Sequence, residues 1–228
     1  MEKILNKYGD KIIQTTGSHG VDISAQRIDD LDKKALKYVL KNAEKNLKGL
    51  DAGCGNGIQS VRFALLNVQM YLIDILDLQQ TIKNISKILF LTNKLIYLQK
   101  DIKGIEVADL PPNIDFVYSQ RFVHYLRYGE ANTFVSTITK PIKTNGLVFL
   151  SASGIHSDLG TSYKGNSLPI EKRYCKLSPS IASKHNIFEK VCLYSKKELS
   201  ALLIRNKLKV QDIWESPFGN IKAIAIKQ

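Results

Sequence analysis

One segment constrains this chain more than any other. Residues 49–57 read Gly-Leu-Asp-Ala-Gly-Cys-Gly-Asn-Gly: a short apolar run that ends at Asp51 and passes into glycines at positions 53, 55 and 57. Glycine permits positive φ and has no Cβ, so another molecule can approach the backbone closely there. Residues 58–67, Ile-Gln-Ser-Val-Arg-Phe-Ala-Leu-Leu-Asn, then have helical spacing. A buried strand, a glycine turn and a helix N-terminus in that order place free N–H groups at the carboxyl end of a strand, where open α/β sheets bind ligands.

The rest of the chain repeats that beat. Residues 26–46 read as a helix, with Leu31, Ala35, Leu36, Val39 and Leu40 on one face. Strands are expected at VQMYLID, LIYLQ, NIDFVYS and GLVFLSAS, with helices over 78–90 and 128–139 between them. Alternation of this kind predicts an α/β fold with helices on both faces of a mostly parallel sheet. Residues 152–192 break the beat. They are rich in Gly, Ser, Asn, Lys and Pro and too long for a plain connection, so they are expected to form a lid-like insertion after strand five. Ser195 and Glu198 then make a capping-box pattern ahead of Leu199, Leu202 and Leu203. The last two strands, KVQDIWES and IKAIAIK, are joined by a connection too short for a helical crossover and should run antiparallel. The expectation is a doubly wound, seven-stranded, mostly parallel sheet with an antiparallel last strand. Residues 1–46 read as an N-terminal helical cap and 47–228 as the ligand-binding domain.

Several function classes fall away. The dinucleotide fingerprint G-x-G-x-x-G needs glycine at position 58, where the chain has Ile58, and no G-K-[ST] follows for a P-loop. Cys54, Cys175 and Cys192 are too few for a disulfide framework and are not spaced as zinc ligands, which favours a reducing, cytoplasmic setting and no metal. No apolar run is long enough for a membrane span. The net charge of +12 is concentrated late in the chain: residues 140–228 carry 15 basic and 6 acidic side chains, against 8 and 8 in 49–139. That excess reads first as a solvated surface and second as a nucleic-acid face, although its lysines are not interleaved with stacking aromatics.

Asp51-Ala52-Gly53-Cys54-Gly55-Asn56-Gly57 resembles motif I, [E/D]-x-G-x-G-x-G, of the class I (seven-stranded) S-adenosylmethionine-dependent methyltransferases, and the order of elements from about residue 45 onward is similar to theirs. The resemblance implies a cofactor, S-adenosylmethionine, with S-adenosylhomocysteine as product, and it implies site residues. Asp74, at the end of the second strand and followed by Ile75, corresponds to the acid that accepts both ribose hydroxyls; Asp77 more plausibly caps the next helix. Asp101 and the N–H of Ile102 correspond to the adenine contacts, and Ser119-Gln120 to the backbone beside the methionine part. Tyr8 and Arg27 are candidates for closing over the cofactor, with a plain surface role as the alternative for Arg27.

Methyl transfer requires an acceptor aligned on the methyl group and needs a base only when the acceptor sheds a proton. His124, in an H-x-L pattern after the fourth strand, is the candidate base, and packing against the cofactor-side backbone is its other reading. Tyr125, Tyr163 and Arg173 are candidates for holding the acceptor, while His156 and His185 read as solvated loop residues. Ser119-Gln120-Arg121-Phe122 stands where enzymes of this fold that methylate adenine or glutamine amides carry [DN]-P-P-[YF], which argues against those acceptors. A small-molecule acceptor is the first expectation. RNA and a non-catalytic cofactor-binding role are the alternatives.

Overall fold

The structure, a computed structural model, describes residues 28–228. Tyr8, His19 and Arg27 lie outside them. Helix α1 (Asp30–Lys41) starts where Asp29 and Asp32 close a reciprocal capping box: Asp29 Oδ1 accepts from the N–H groups of Leu31 (2.8 Å) and Asp32 (3.0 Å), and Asp32 Oδ2 accepts from the N–H of Asp29 (2.8 Å). Three of the otherwise orphaned N–H donors at the helix start are satisfied in this way. Strand β1 (Lys48–Ala52), helix α2 (Ile58–Leu65), strand β2 (Gln69–Asp74), helix α3 (Gln79–Ile88) and strand β3 (Leu95–Gln99) follow. Strand β4 (Ile114–Ser119), helix α4 (Tyr128–Thr139) and strand β5 (Ile142–Ser153) complete the parallel part.

Beyond the insertion come helix α6 (Lys196–Arg205), strand β8 (Leu208–Glu215) and strand β9 (Asn220–Lys227). The sheet order is β3-β2-β1-β4-β5-β9-β8, with β1 to β5 parallel and β9 antiparallel to both its neighbours. The doubly wound seven-stranded sheet expected from the sequence is therefore present, and its antiparallel last strand sits between β5 and β8.

Side-chain alternation along the central strands divides the apolar residues between two cores. Phe116 and Tyr118 of β4, with Phe149 of β5, face Phe63 of α2 and the Leu31, Ala35 and Val39 stripe of α1. The rings meet edge to face, Phe63 lying 5.3 Å from Phe116 and 5.5 Å from Tyr118, the arrangement their quadrupoles favour. Val117, Val148, Leu150 and Ala152 face the other way, onto α4 and α6. The described part of the expected N-terminal cap is thus not a separate unit: α1 is one layer of the main core.

The insertion is more ordered than its composition suggests. Its chain leaves and returns at one point, where Ile155 N–H donates to Tyr194 O and Tyr194 N–H to Ser153 O, both at 3.0 Å. Between them lie short 3-10 turns, a two-stranded ladder of β6 (Cys175–Lys176) and β7 (Lys190–Val191), and helix α5 (Pro179–His185). Leu159, Tyr163, Leu177, Ile181, Ile187, Val191 and Leu193 form a small core of its own.

Candidate cofactor and acceptor site

The carboxyl ends of β1 to β4 open onto a cavity of about 390 Å³. The β1 end is shaped by its glycines. Gly53, Gly55 and Gly57 stand at φ of +73, +52 and +72, a region that residues with a Cβ enter only at a cost. Nothing lies within 4 Å of where a Cβ on Gly55 would be, whereas one on Gly53 would lie 2.4 Å from the Phe122 ring. The N–H groups of Gly53 and Cys54 both donate to Ile73 O, at 2.9 and 3.1 Å, so the loop is tied to β2. Asp51 is buried beneath it and accepts from Ser60 Oγ at 2.6 Å.

Asp74 ends β2 on the cavity wall. One carboxylate oxygen accepts from Gly55 N–H (2.8 Å), the other from Leu76 N–H (3.2 Å). A carboxylate has about four lone-pair sites and can accept from several donors at once. The Tyr97 hydroxyl donates to Leu76 O and braces the same turn. Burial, followed by the neighbouring Cys54 and Asp74, drives that phenol far above its ordinary range, so it remains a donor. Asp101 follows β3 and accepts from Lys103 N–H at 2.9 Å, capping a short turn that buries Ile102. Ile75, Cys54 and Gln120 also line the cavity. Ala52 and Ser119 lie behind it, joined by a bond from Ser119 Oγ to Ala52 O at 2.8 Å.

A charged latch holds this rim to α1. Lys222 of β9, only 2% exposed, donates to Asp29 Oδ2 (2.5 Å) and to Asp30; Gln120 Nε2 donates to the same Asp29 oxygen (2.6 Å), and Trp214 Nε1 to Asp30 (2.6 Å). Burial raises Asp30, but the bonds from Lys222 and Trp214 outweigh it and hold the acid below the usual carboxylate range. Asp32 goes the other way. Burial first, and then the Asp29 carboxylate, push it up to about 6, although the Tyr118 hydroxyl donates to it. Tyr118 also lines the cavity.

The acceptor side differs from the expectation. Phe122, Tyr125, Leu126 and Tyr174 form an apolar stretch of lining, with Arg121 at one side. His124 is not part of it. The 3-10 turn Val123–Tyr125 rotates the imidazole inward, where it is fully buried and stacked 4.2 Å from the Tyr125 ring. Ser153 N–H lies 3.4 Å from its Nδ1 and Ser153 Oγ 3.4 Å from its Nε2. Burial, and then the Arg121 cation, hold His124 well below its ordinary range, so the ring stays neutral and braces the wall. It has no surface on the cavity from which to take an acceptor's proton.

Tyr163 and Arg173, expected to hold the acceptor, do not line the cavity. Tyr163 is buried within the insertion and Arg173 between it and α6, because irregular backbone exposes carbonyls that need buried donors. The Tyr163 hydroxyl donates to the backbone carbonyls of Arg173 and Val191 (2.5 Å to Val191), and Arg173 donates to the carbonyls of Gly165 (3.1 Å), Leu168 (2.8 Å) and Leu193 (3.0 Å) and to Glu198 (2.7 Å). His185 is likewise not solvated: it is buried and bonds Asp158 at 2.7 Å. His156 is exposed and lies 3.1 Å from Glu215. Among the described residues no cluster of His, Cys, Asp or Glu is arranged to hold a metal, and no helix is long and apolar enough to cross a membrane.

Sheet order, antiparallel seventh strand and glycine rim together define the fold of the class I S-adenosylmethionine-dependent methyltransferases, and comparison with solved structures agrees. The chain superposes on the pyocyanin biosynthetic protein PhzM with a TM-score of 0.56 at 16% identity, over 83% of this chain and 54% of that one, about half its length. It matches a Burkholderia thailandensis 1,6-didemethyltoxoflavin-N1-methyltransferase, solved with bound 1,6-didemethyltoxoflavin and S-adenosylhomocysteine, with a TM-score of 0.60 at 11% identity, over 87% of this chain and 79% of that one. Magnesium protoporphyrin IX methyltransferase from Synechocystis, also solved with S-adenosylhomocysteine, gives a TM-score of 0.60 at 16% identity, over 91% and 88%. No protein-family model and no curated protein matches the sequence.

The donor set suits the cofactor of that fold. The open space over Gly55 admits a ligand against the backbone, and Asp74 and Asp101 present acceptors at the ends of the next two strands.

Proposed function

We propose that this protein is an S-adenosylmethionine-dependent methyltransferase that acts on a small molecule. The observation that carries the reading is the alignment, along one cavity wall, of a positive-φ glycine turn with two strand-end carboxylates, Asp74 and Asp101. Asp74 would accept the ribose hydroxyls, Asp101 and the Ile102 N–H would take the adenine edge, and Gly53 to Gly55 with Gln120 would flank the amino-acid end. When bound, S-adenosylmethionine would supply an electrophilic methyl group for a lone pair on the acceptor. The chain's own part is alignment and exclusion of water, which suffice for large accelerations when acceptor and methyl are held in near-attack geometry.

No basic side chain is needed for an acceptor that is already nucleophilic. Burial drives the Tyr125 hydroxyl up to about 12, so it serves as a donor and not as a base. The cavity falls within the range of about 300–1,000 Å³ common to small-molecule sites, and its apolar lining at Phe122, Tyr125 and Leu126 favours a compact acceptor over a nucleic-acid strand.

The test is calorimetric titration of S-adenosylhomocysteine into the protein and into Gly53→Val. The protein should bind and the variant should not, because a side chain at Gly53 collides with the Phe122 ring and is strained at φ +73. Absence of binding to the unaltered protein, or undiminished binding to a folded Gly53→Val, would overturn the reading.

A further inference from the structure

Arg121 occupies a backbone position that costs free energy to hold. It directly follows β4 at φ +53, where a side chain bearing a Cβ is strained by about 1–2 kcal/mol. The same region is taken elsewhere in the chain mainly by asparagines, among them Asn46, Asn67, Asn93, Asn113 and Asn145, whose short polar side chains suit it. Arginine has no such affinity. Its N–H is pinned by a buried residue of β5, donating to Ser151 O at 3.1 Å and Ser151 Oγ at 2.9 Å. Strain kept in place by the surrounding sheet points to a use for the side chain that it aims.

Arg121 lies on the wall of the cavity, which it shares with Phe122, Tyr125 and Tyr174. Each ring is braced from outside the cavity: Phe122 by Phe134, 5.3 Å away edge to face; Tyr125 by His124; and Tyr174 by a bond from its hydroxyl to Tyr125 O at 3.2 Å. Pre-set rings lose little freedom when a flat molecule packs on them. Charge is placed unevenly along the lining. Next to burial, Arg121 is the charged group that acts on both His124 and Tyr125, and it acts on His185 of the insertion as well, whereas around Tyr174 the cations Lys103 and Arg127 stand against Glu130 and Glu189. An anion is favoured beside Arg121.

We propose that Arg121 anchors the methyl acceptor, and that the acceptor is a planar aromatic molecule bearing an oxyanion, its ring among Phe122, Tyr125 and Tyr174 and its oxyanion on the guanidinium. This rests on the methyltransferase reading. Carboxylate and phosphate share the chemistry, since a guanidinium presents paired N–H donors to either.

The experiment uses the full chain saturated with S-adenosylhomocysteine and titrates three probes by calorimetry: 2-naphthoate, 2-naphthyl phosphate and the neutral 2-naphthamide. At least one anion should bind about tenfold or more tightly than the amide, and the better of the two names the oxyanion. Arg121→Met should remove that preference and leave S-adenosylhomocysteine affinity unchanged. Arg121→Gly is the second variant, because glycine relieves the positive φ and protects the fold while deleting the cation. Equal affinity for anions and amide, no binding of any probe, or a preference that survives in both variants overturns the proposal. A loss of S-adenosylhomocysteine affinity in the variants also overturns it, by assigning Arg121 to the cofactor. If the unaltered protein fails to bind S-adenosylhomocysteine, the methyltransferase reading falls, and the same titrations on the free protein still decide whether Arg121 selects anions.

Discussion

The two halves of the cavity are built by different means. The cofactor half is made of strand ends. Gly53 and Cys54 bond Ile73, Asp74 clasps Gly55, and each residue sits where a β-strand must stop. The acceptor half is made of residues after β4 and of an insertion held together by side chains, above all Arg173 and Tyr163 bonded to backbone carbonyls. Ladder bonds leave little dependence on any one side chain, whereas stapled loops place large energies on a few. The contrast teaches where substitutions should act on binding and where they should act on folding.

The largest effect expected is on folding. Arg173→Ala removes one partner of a buried ion pair and orphans several carbonyls, so unfolding free energy should fall by about 3–5 kcal/mol in urea titration. A loss under about 1 kcal/mol would break the comparison by showing that the insertion does not depend on its staples. Asp74→Ala should do the reverse, disturbing affinity more than stability. Loss of charge-assisted bonds to ribose, at about 1.5–3 kcal/mol each, predicts weakening of S-adenosylhomocysteine by tenfold or more in calorimetry. Unchanged affinity would mean that the wrong acid had been chosen.

The smallest effect concerns the latch between α1 and the rim. Asp32 has a folded pKa of about 6 against an ordinary value of 3.8. Between those values the unfolded chain holds fewer protons than the folded one, so stability falls as pH rises through the window, and the cost is complete above it. Asp32→Asn deletes the charge and keeps one of the two oxygens that serve the Tyr118 hydroxyl and the Asp29 N–H. Its effect on stability should be more favourable at pH 7.5 than near pH 4 by about 1–2 kcal/mol, as followed by thermal unfolding at both values. The same effect at both values would show that the charge of Asp32 carries no cost in the folded protein.

The same division explains what could be read in advance. Strand ends are marked by a change from apolar runs to glycine or acid, so β1 to β5, and the places of Asp74 and Asp101 after β2 and β3, were legible from their order. Residues 152–192 have no period to read, and their polar composition suggested exposure. The tyrosine and arginine within them are buried because irregular backbone needs donors, a demand that appears only once the loop has folded on itself. His124 was placed near the correct strand end, but one 3-10 turn decides whether a ring faces a cavity or a core, and a three-residue turn leaves no signature. Arg121 and Phe122 carried no signal either: nothing in an arginine announces positive φ, and Phe122 matters through Gly53, far away in sequence. The ties of Asp29 and Asp30 to Lys222 and Gln120 had no sign in the sequence, because their partners arrive from β9 and from the end of β4, far along the chain.

The pinch at the base of the insertion has a further consequence. Ser153 and Tyr194 are bonded neighbours, so the sheet meets the excursion as a short stitch whatever its length. Loop-closure cost grows only with the logarithm of length. The middle of the segment can therefore be lengthened or trimmed at little closure cost while the strands of the sheet keep their register, so long as the ties from Arg173 to Glu198 and from Cys192 N–H to His124 O are kept.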